Sequence, residues 1–406
     1  FIKQYHVTYK RKTDLQIGDI VYLRRKVLPD AFSHSHKFFK ENNVSFSGVI
    51  FEFNSSESKY GLYFLSSFFN SSSALKNGLL NTLKDALKNT VIFFQLAVSA
   101  KGYYNFLREL LYVNTLLELG PKVIYGSLTD RPYGVLLYRQ KKSYQKICMH
   151  SDGFYFSPIP GPEYVYSDVF YGVNKLDSGN LNHHGGNINR IENVGLYRRS
   201  IKANSYGLSD DLLRVVANYG YIIVVTLATV RAEKYFPINL EYFNNFILQI
   251  IKQSRTQHSS LFVIKGKKGE IELLSDDLIK QLDAIPNIYI VPCNTPYLLK
   301  YNHFEDLLEI AHLVISMHYA SMTVWQSLAK KIPTIGYNYC VEDKEYFDRF
   351  PYFIVGNNEI EEAINYWKNI SKENLNYFFD KVNLETNMLK DNALQNMYRD
   401  ICDMVD

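Results

Sequence analysis

An α/β fold built on two parallel sheets is what this sequence predicts, and three observations carry the prediction. Short, continuously apolar runs recur at residues 20–23, 49–53, 91–96, 123–127, 221–227 and 261–265, a length and texture that suit strands covered on both faces. Segments with helical apolar spacing alternate with them at 73–89, 103–119 and 240–254. Under the right-handed crossover rule such alternation winds into a parallel sheet. The third observation is the stretch LLEIAHLVISMHYASMTVWQSLAKKIPTIGYN, residues 307–338, which compresses a helix end, a buried strand, a polar turn, a helix and a second strand into one run.

Taken in order, strands are expected at 20–23, 49–53, 91–96, 123–127 and 146–149, with helices over 73–89 and 103–119, the second ending on Gly120 as a C-cap. Residues 174–210 break the periodicity with the polar, glycine-rich NKLDSGNLNHHGGNINR and read as the linker between halves. Ser209-Asp210-Asp211 reads as a helix N-cap. Beyond it come a strand at 221–227, an amphipathic helix at 240–254, and strands at 261–265 and 288–292. A helix then ends at 307–311, a strand covers 313–317, Ser321-Met322-Thr323 opens a helix that Lys330-Lys331 closes, and a strand follows at 332–335. Residues 360–405 read as helices that pack back. The expected units are 1–200, 201–360 and a helical 361–406.

A length of 406 residues accommodates two such domains. Lys plus Arg number 45 against 41 Asp plus Glu, a net charge of +4, too small to make nucleic acid the expected partner. It fits an anionic small substrate or peripheral contact with an acidic membrane. No run approaches the roughly 20 apolar residues of a membrane span, and no signal peptide is visible. The first residue, Phe1, fits a piece of a longer chain, so an upstream targeting segment stays open. The four cysteines, Cys148, Cys293, Cys340 and Cys402, form no CxxC pair, so neither a metal nor a disulfide framework is expected, and a reducing, cytoplasmic setting is. The abundant Tyr and Phe fit an AT-rich genome better than an aromatic binding surface.

Chemistry-bearing residues cluster at predicted strand ends. A helix starting at Ser321, Met322 and Thr323 just beyond a parallel strand offers free N–H groups and a positive dipole end, which suits phosphate. Lys265 ends the strand at 261–265 and would neutralise that charge, while Lys267 and Lys268 read as solvated. Thr226 and Thr229 place two hydroxyls at the end of the strand at 221–227. In the other half, His150-Ser151-Asp152-Gly153 follows a short buried strand, so a neutral His150 is a candidate general base, with Asp152 or the earlier Asp130 as orienter, base or nucleophile. The bland alternatives are an ordinary N-cap at Ser321 and a chain-reversing turn at Asp152-Gly153. His183-His184 lacks partners at ligand spacing, and no metal site is expected.

These segments resemble the GT-B glycosyltransferases that build bacterial capsule and lipopolysaccharide, a group with Kdo transferases, CDP-glycerol glycerophosphotransferases and polysialyltransferases. AHLVISMHYASMTVWQSLAKKIPTIGYN stands where that family carries its C-terminal donor motif, with Gln326 at the place of an acidic residue that grips ribose. YSDVFYG (166–172), ENVGLYR (192–198) and FVIKGKK (262–268) are similar to further family segments in matching order, and the His150 turn stands at the family's "QHG" with two extra residues before the glycine. The resemblance implies two Rossmann-like domains facing a central cleft, an N-terminal acceptor domain carrying His150, Asp130 or Asp152, and a C-terminal donor domain. There Lys265, Ser321, the Met322 backbone, Thr323, Gln326, Thr226 and Thr229 would hold a nucleotide sugar. It implies metal-independent transfer, with no cofactor beyond the donor, to a glycan or lipid-linked glycan at the cytoplasmic side of the inner membrane. A CMP-activated acidic sugar such as Kdo is weakly favoured, although PCNTP (292–296) replaces the HisPro pair with which sialyl-type enzymes hold CMP. Two other readings stand beside it: a non-catalytic sugar- or nucleotide-binding module, and an epimerase of the same architecture.

Overall fold

A computed structural model of the chain describes residues 18–24, 37–50, 63–64, 72–88, 110–126, 132–150, 165–173, 187–196, 207–228, 230, 238–266, 270–292, 302–318, 321–338, 353–356, 359–388 and 392–405. Their strands form two sheets in which every pairing is parallel. The first contains β1 (Ile20–Arg24), β2 (Phe46–Ile50), β3 (Tyr63–Phe64), β4 (Val123–Gly126), β5 (Lys146–His150), β6 (Tyr166–Gly172) and β7 (Asn187–Asn193), in the order β3-β2-β1-β4-β5-β6-β7. The second contains β8 (Tyr221–Thr226), β9 (Ser260–Lys265), β10 (Ile288–Ile290), β11 (Leu313–Ser316), β12 (Thr334–Tyr337) and β13 (Ile354–Val355), in the order β10-β9-β8-β11-β12-β13. Each sheet therefore winds outward one way and then reverses past its own first strand. The reversal lies between β1 and β4 in one sheet and between β8 and β11 in the other. At such a reversal the flanking connections leave on opposite faces and open a crevice at the strands' carboxyl ends.

Among the helices are α1 (Ser72–Lys88), α2 (110–118), α3 (Pro132–Gln140), α4 (Asp210–Val216), α5 (Leu240–Thr256), α6 (Asp276–Asp283), α7 (Phe304–Leu307), α8 (Met322–Ala329), α9 (Ile360–Asn369), α10 (Lys372–Thr386) and α11 (Ala393–Asp403). Their starts are chemically marked. Ser209, Asn239, Ser275, Ser321 and Ser371 each accept a backbone N–H of their own helix's first turn, an arrangement worth about 1 kcal/mol per cap. One face of the second sheet packs on α5, α8, α9 and α10 through Phe243, Phe246, Trp325, Trp367 and Phe378. Leu212 and Leu307, from α4 and α7, cover the other.

The first sheet is covered by α2 and α3 on one side and by α11, from the far end of the sequence, on the other. Leu394, Met397, Tyr398 and Ile401 of α11 pack against Tyr22, Tyr125 and Cys148. A polar tie fixes that helix: the Tyr171 hydroxyl donates to Asp400 at 2.5 Å and Arg190 pairs with the same carboxylate at 2.6 Å. Burial, with the Asp168 and Asp400 charges adding to it, pushes the Cys148 thiol well above its usual range. Cys148 is thus an inert packing group.

Two expectations need correction. Residues 174–210 are not simply a linker, because Asn187–Asn193 forms β7 and pairs with β6 along its length. Its side chains are mostly exposed or half-buried, so this edge strand lacks the apolar texture that marks inner strands. The strand expected at 49–53 lies at Phe46–Ile50, where Ser47 hides it from a scan for apolar runs and is held by the Gly18 N–H. The strand expected at 91–96 falls outside the described residues.

Gly126 sits where the reversal of the first sheet needs a bare backbone. A Cβ there would collide with the Leu23 carbonyl of the neighbouring strand. Because the obstacle is backbone in a paired strand, it cannot swing aside. Gly126→Ala is expected to destabilise the protein by about 2 kcal/mol, read as a lower urea midpoint with an unchanged slope.

Candidate functional site

The carboxyl edge of the second sheet carries an in-register row of residues. Lys265 on β9 is in register with Thr226 on β8, which is in register with Ser316 on β11, which is in register with Gly336 on β12. Thr226 and Ser316 thus stand on the two strands that flank the reversal. Immediately beyond them the chain turns through Met317 and His318, and α8 begins.

The start of α8 is crowded with hydroxyls. Thr323 Oγ1 lies 3.1 Å from Thr226 Oγ1, 2.9 Å from Ser321 Oγ and 3.4 Å from Ser316 Oγ. Ser321 also accepts the Thr323 N–H, and Ser316 Oγ donates to the His318 carbonyl at 2.9 Å, which also accepts the Ser321 N–H. Four short polar side chains from two strands, a cap and a first helical turn therefore converge. They sit where α8 contributes the partial positive charge of its unpaired amides. Met322, half-buried, packs its side chain on the apolar core, leaving its backbone as its polar contribution at the helix start.

The turn is braced from below. Tyr242 of α5 lies with its hydroxyl 2.7 Å from the Met317 carbonyl and 3.0 Å from the Tyr337 carbonyl, bridging the ends of β11 and β12. Neither Tyr242 nor Ser316 was singled out in the sequence. The signal for Tyr242 is a hydroxyl in the otherwise apolar face of α5, and for Ser316 it is a serine closing the apolar run LVIS. His318 was missed as well. It is half-buried, and desolvation pulls its pKa down to about 4, so the imidazole is neutral at pH 7. A neutral ring suits the start of a helix, where a cation would meet the positive dipole end.

Of the predicted donor residues, Lys265, Thr226, Ser321, Met322 and Thr323 stand on β8, β9 and the start of α8, and Thr229 lies outside the described residues. Gln326 is one turn into α8, and its Nε2 donates to Glu305 of α7 at 3.1 Å. Its amide N–H therefore faces a carboxylate of the protein.

In the first sheet, His150 is the last residue of β5, in register with Tyr171. It is 6% exposed, and its ring lies parallel to that of Tyr22 with centroids 6.5 Å apart. Tyr22 in turn packs on Tyr125. The histidine is part of an aromatic wall on the α11-covered face. Asp130, Asp152, His183, His184, Arg198 and Arg199 fall outside the described residues. Asp168 proves to be a structural brace: it accepts from Lys141 at 2.9 Å, from the Ile147 N–H at 2.8 Å and from Asn189 at 3.1 Å. Among the described residues no group of three or more His, Cys, Asp or Glu is gathered as metal ligands would be.

Two Rossmann-wound parallel sheets in one chain, each reversing beside its first strand, define a GT-B-like α/β fold. Neither a protein-family model nor a curated protein sequence matches the chain. Solved structures do match in shape. The UDP-GlcNAc 2-epimerase from Neisseria meningitidis, bound to UDP-GlcNAc, is 12% identical, with a TM-score of 0.54 over 95% of this chain and 99% of that one. A UDP-forming α,α-trehalose-phosphate synthase from Burkholderia xenovorans is 10% identical, with a TM-score of 0.54 over 96% and 99%. Os79 from O. sativa, in complex with UDP, is 9% identical, with a TM-score of 0.53 over 95% and 100%. At these identities the likeness is one of fold.

The neutral His318 makes stability depend on pH. The unfolded imidazole takes a proton near 6.5 and the folded one only near 4. Its contribution is therefore full above about pH 6.5 and is lost as pH falls towards 4. Because the residue keeps some solvent contact, the loss is about 2 kcal/mol. His318→Asn is expected to remove that part of the acid slope, measured as the difference between wild-type and variant urea midpoints across the window.

Proposed function

We propose that the protein is a nucleotide-sugar enzyme of GT-B type, a glycosyltransferase that holds its donor's phosphates at the start of α8. The observation that carries this reading is the in-register row Lys265, Thr226 and Ser316 ending against the hydroxyls of Ser321 and Thr323 at the strand reversal. The hydroxyls donate to phosphoryl oxygens, the α8 amides add directional N–H groups, and Lys265 supplies the countercharge. Together they stabilise the charge that builds on a departing nucleotide, work done by preorganised dipoles. On this reading the hydroxyls, the helix amides and Lys265 take the place of a metal ion.

Donor and acceptor follow from two supports. The sequence resemblance favours bacterial surface glycan synthesis and, weakly, a CMP-activated acidic sugar such as Kdo. The neighbours in fold are named for UDP and UDP-GlcNAc, which places UDP first among the bases to test. Glu305, held by Gln326 beside α8, is the carboxylate best placed to meet sugar hydroxyls. In the N-terminal half, His150 is the proposed base toward an acceptor hydroxyl, with Asp130 and Asp152 as its alternatives. The buried ring would have to be reached from the carboxyl end of β5. A second reading has one specific support, the epimerases among the fold neighbours: a nucleotide-sugar 2-epimerase, which releases an isomeric nucleotide sugar and needs no acceptor.

Titrating UDP and CMP while following Trp325 fluorescence in α8 tests the phosphate site. Lys265→Ala and Thr323→Val are each expected to weaken nucleotide binding about tenfold, with the folded state unchanged by circular dichroism. Failure of every nucleotide to bind the wild type removes the proposal. Product analysis then separates the two chemistries, since a transferase liberates nucleotide only with acceptor present and an epimerase returns an isomerised nucleotide sugar.

A further inference from the structure

Helix α1, SSALKNGLLNTLKDALK, is packed inside out. Among its described side chains, 76–84, the inward residues are small or polar. A Cβ at Gly78 would run into Thr115 of α2, Asn81 donates to Glu118 at 3.1 Å, and Thr82 accepts from Asn114 at 3.2 Å while donating to the Gly78 carbonyl. Gly78 and Thr82 are buried. The leucines point the other way: Leu79, Leu80 and Leu83 are 44%, 51% and 60% exposed. An ordinary surface helix buries its apolar stripe and shows its polar one. Here the arrangement is reversed, and the inner hydrogen bonds to α2 hold it so.

The outward residues follow the helical repeat. Lys76, Leu79, Leu80, Leu83 and Lys84 occupy positions i, i+3, i+4, i+7 and i+8, one continuous face about 12 Å long in which both lysines are exposed. No acidic residue stands on it between Lys76 and Lys84. Leucines flanked by Lys76 and Lys84 match the two layers of a bilayer surface: acyl chains take the leucines, and anionic headgroups meet the ammonium groups. Among the described residues no helix is long and apolar enough to cross a membrane, so this contact lies on the surface.

We propose that this face of α1 seats the protein on an anionic lipid bilayer. The surface acts independently of the nucleotide reading, because it is assayed with no nucleotide present. It places the first sheet against the membrane, where an acceptor carried on a lipid would be met.

Co-sedimentation of the full chain with phosphatidylcholine vesicles, with and without phosphatidylglycerol, tests it. The wild type is expected to pellet with the anionic vesicles and to stay in solution with the neutral ones. Leu80→Gln/Leu83→Gln should lower partitioning about tenfold or more, and Lys76→Gln/Lys84→Gln roughly twentyfold at low salt. All four side chains are exposed, so both variants should keep the wild-type circular dichroism spectrum and urea midpoint. Three results overturn the proposal: no binding to anionic vesicles, equal binding by wild type and leucine variant, or lipid-free self-association in the analytical ultracentrifuge that the leucine variant abolishes, which would assign the face to a second copy.

Discussion

Strand reversal in a parallel sheet is the constraint on which the rest of this structure depends. A right-handed crossover takes the connection from β8 to β9 over one face and the connection toward β11 over the other, so β8 and β11 end side by side where the two connections part. Residues on those two ends lie beneath the gap, buried under the start of the helix that follows. Here they are Thr226 and Ser316, paired in register, and the turn after Ser316 has to deliver the next helix directly above them. The chemistry at the start of α8 is thus a consequence of winding order, with the choice of short hydroxyl side chains made on top of it.

The relative weights of the groups there differ. One capping hydroxyl contributes about 1 kcal/mol to the helix, and the dipole end contributes about 0.3–1 kcal/mol toward an anion in exposed settings. A charge-assisted bond from a lysine is roughly twice as strong as a neutral one. The hydroxyls therefore set position and Lys265 sets strength. His318 adds no charge, since burial keeps it neutral. The buried tyrosine bridge from α5 keeps the two strand ends at fixed separation, which matters more for directional donors than for a point charge.

Much of this was legible in the sequence where burial on two faces leaves a continuous apolar signature. β1, β4, β8, β9 and β11 were found within a residue or two of their ends, and the helix start at Ser321 to Thr323 was placed correctly. β7 was not legible, because an edge strand with polar residues on most positions has the composition of a loop. The place of His150 was only half readable: its strand was correct, but pleat parity, set by pairing with β6, turned the ring onto the face that Tyr22 shares. Asp168 looked like a motif residue and is a clamp across β5, β7 and the end of α3, since nothing in spacing distinguishes a carboxylate that meets substrate from one that meets backbone. Glu305 was invisible for a related reason: its approach to Gln326 spans two helices.

The covering of the first sheet by α11 has a consequence for biosynthesis. A ribosome delivers Tyr22, Tyr125 and Tyr171 long before Tyr398 and Ile401, yet these side chains share one cluster, and Lys122 reaches the Val405 carbonyl at 2.9 Å. The first sheet therefore emerges with an aromatic flank uncovered until α11 has been made. A chain cut before α11 would leave Tyr22, Tyr125 and Tyr171 without that cover, an uncovered aromatic flank of the kind that invites aggregation during folding.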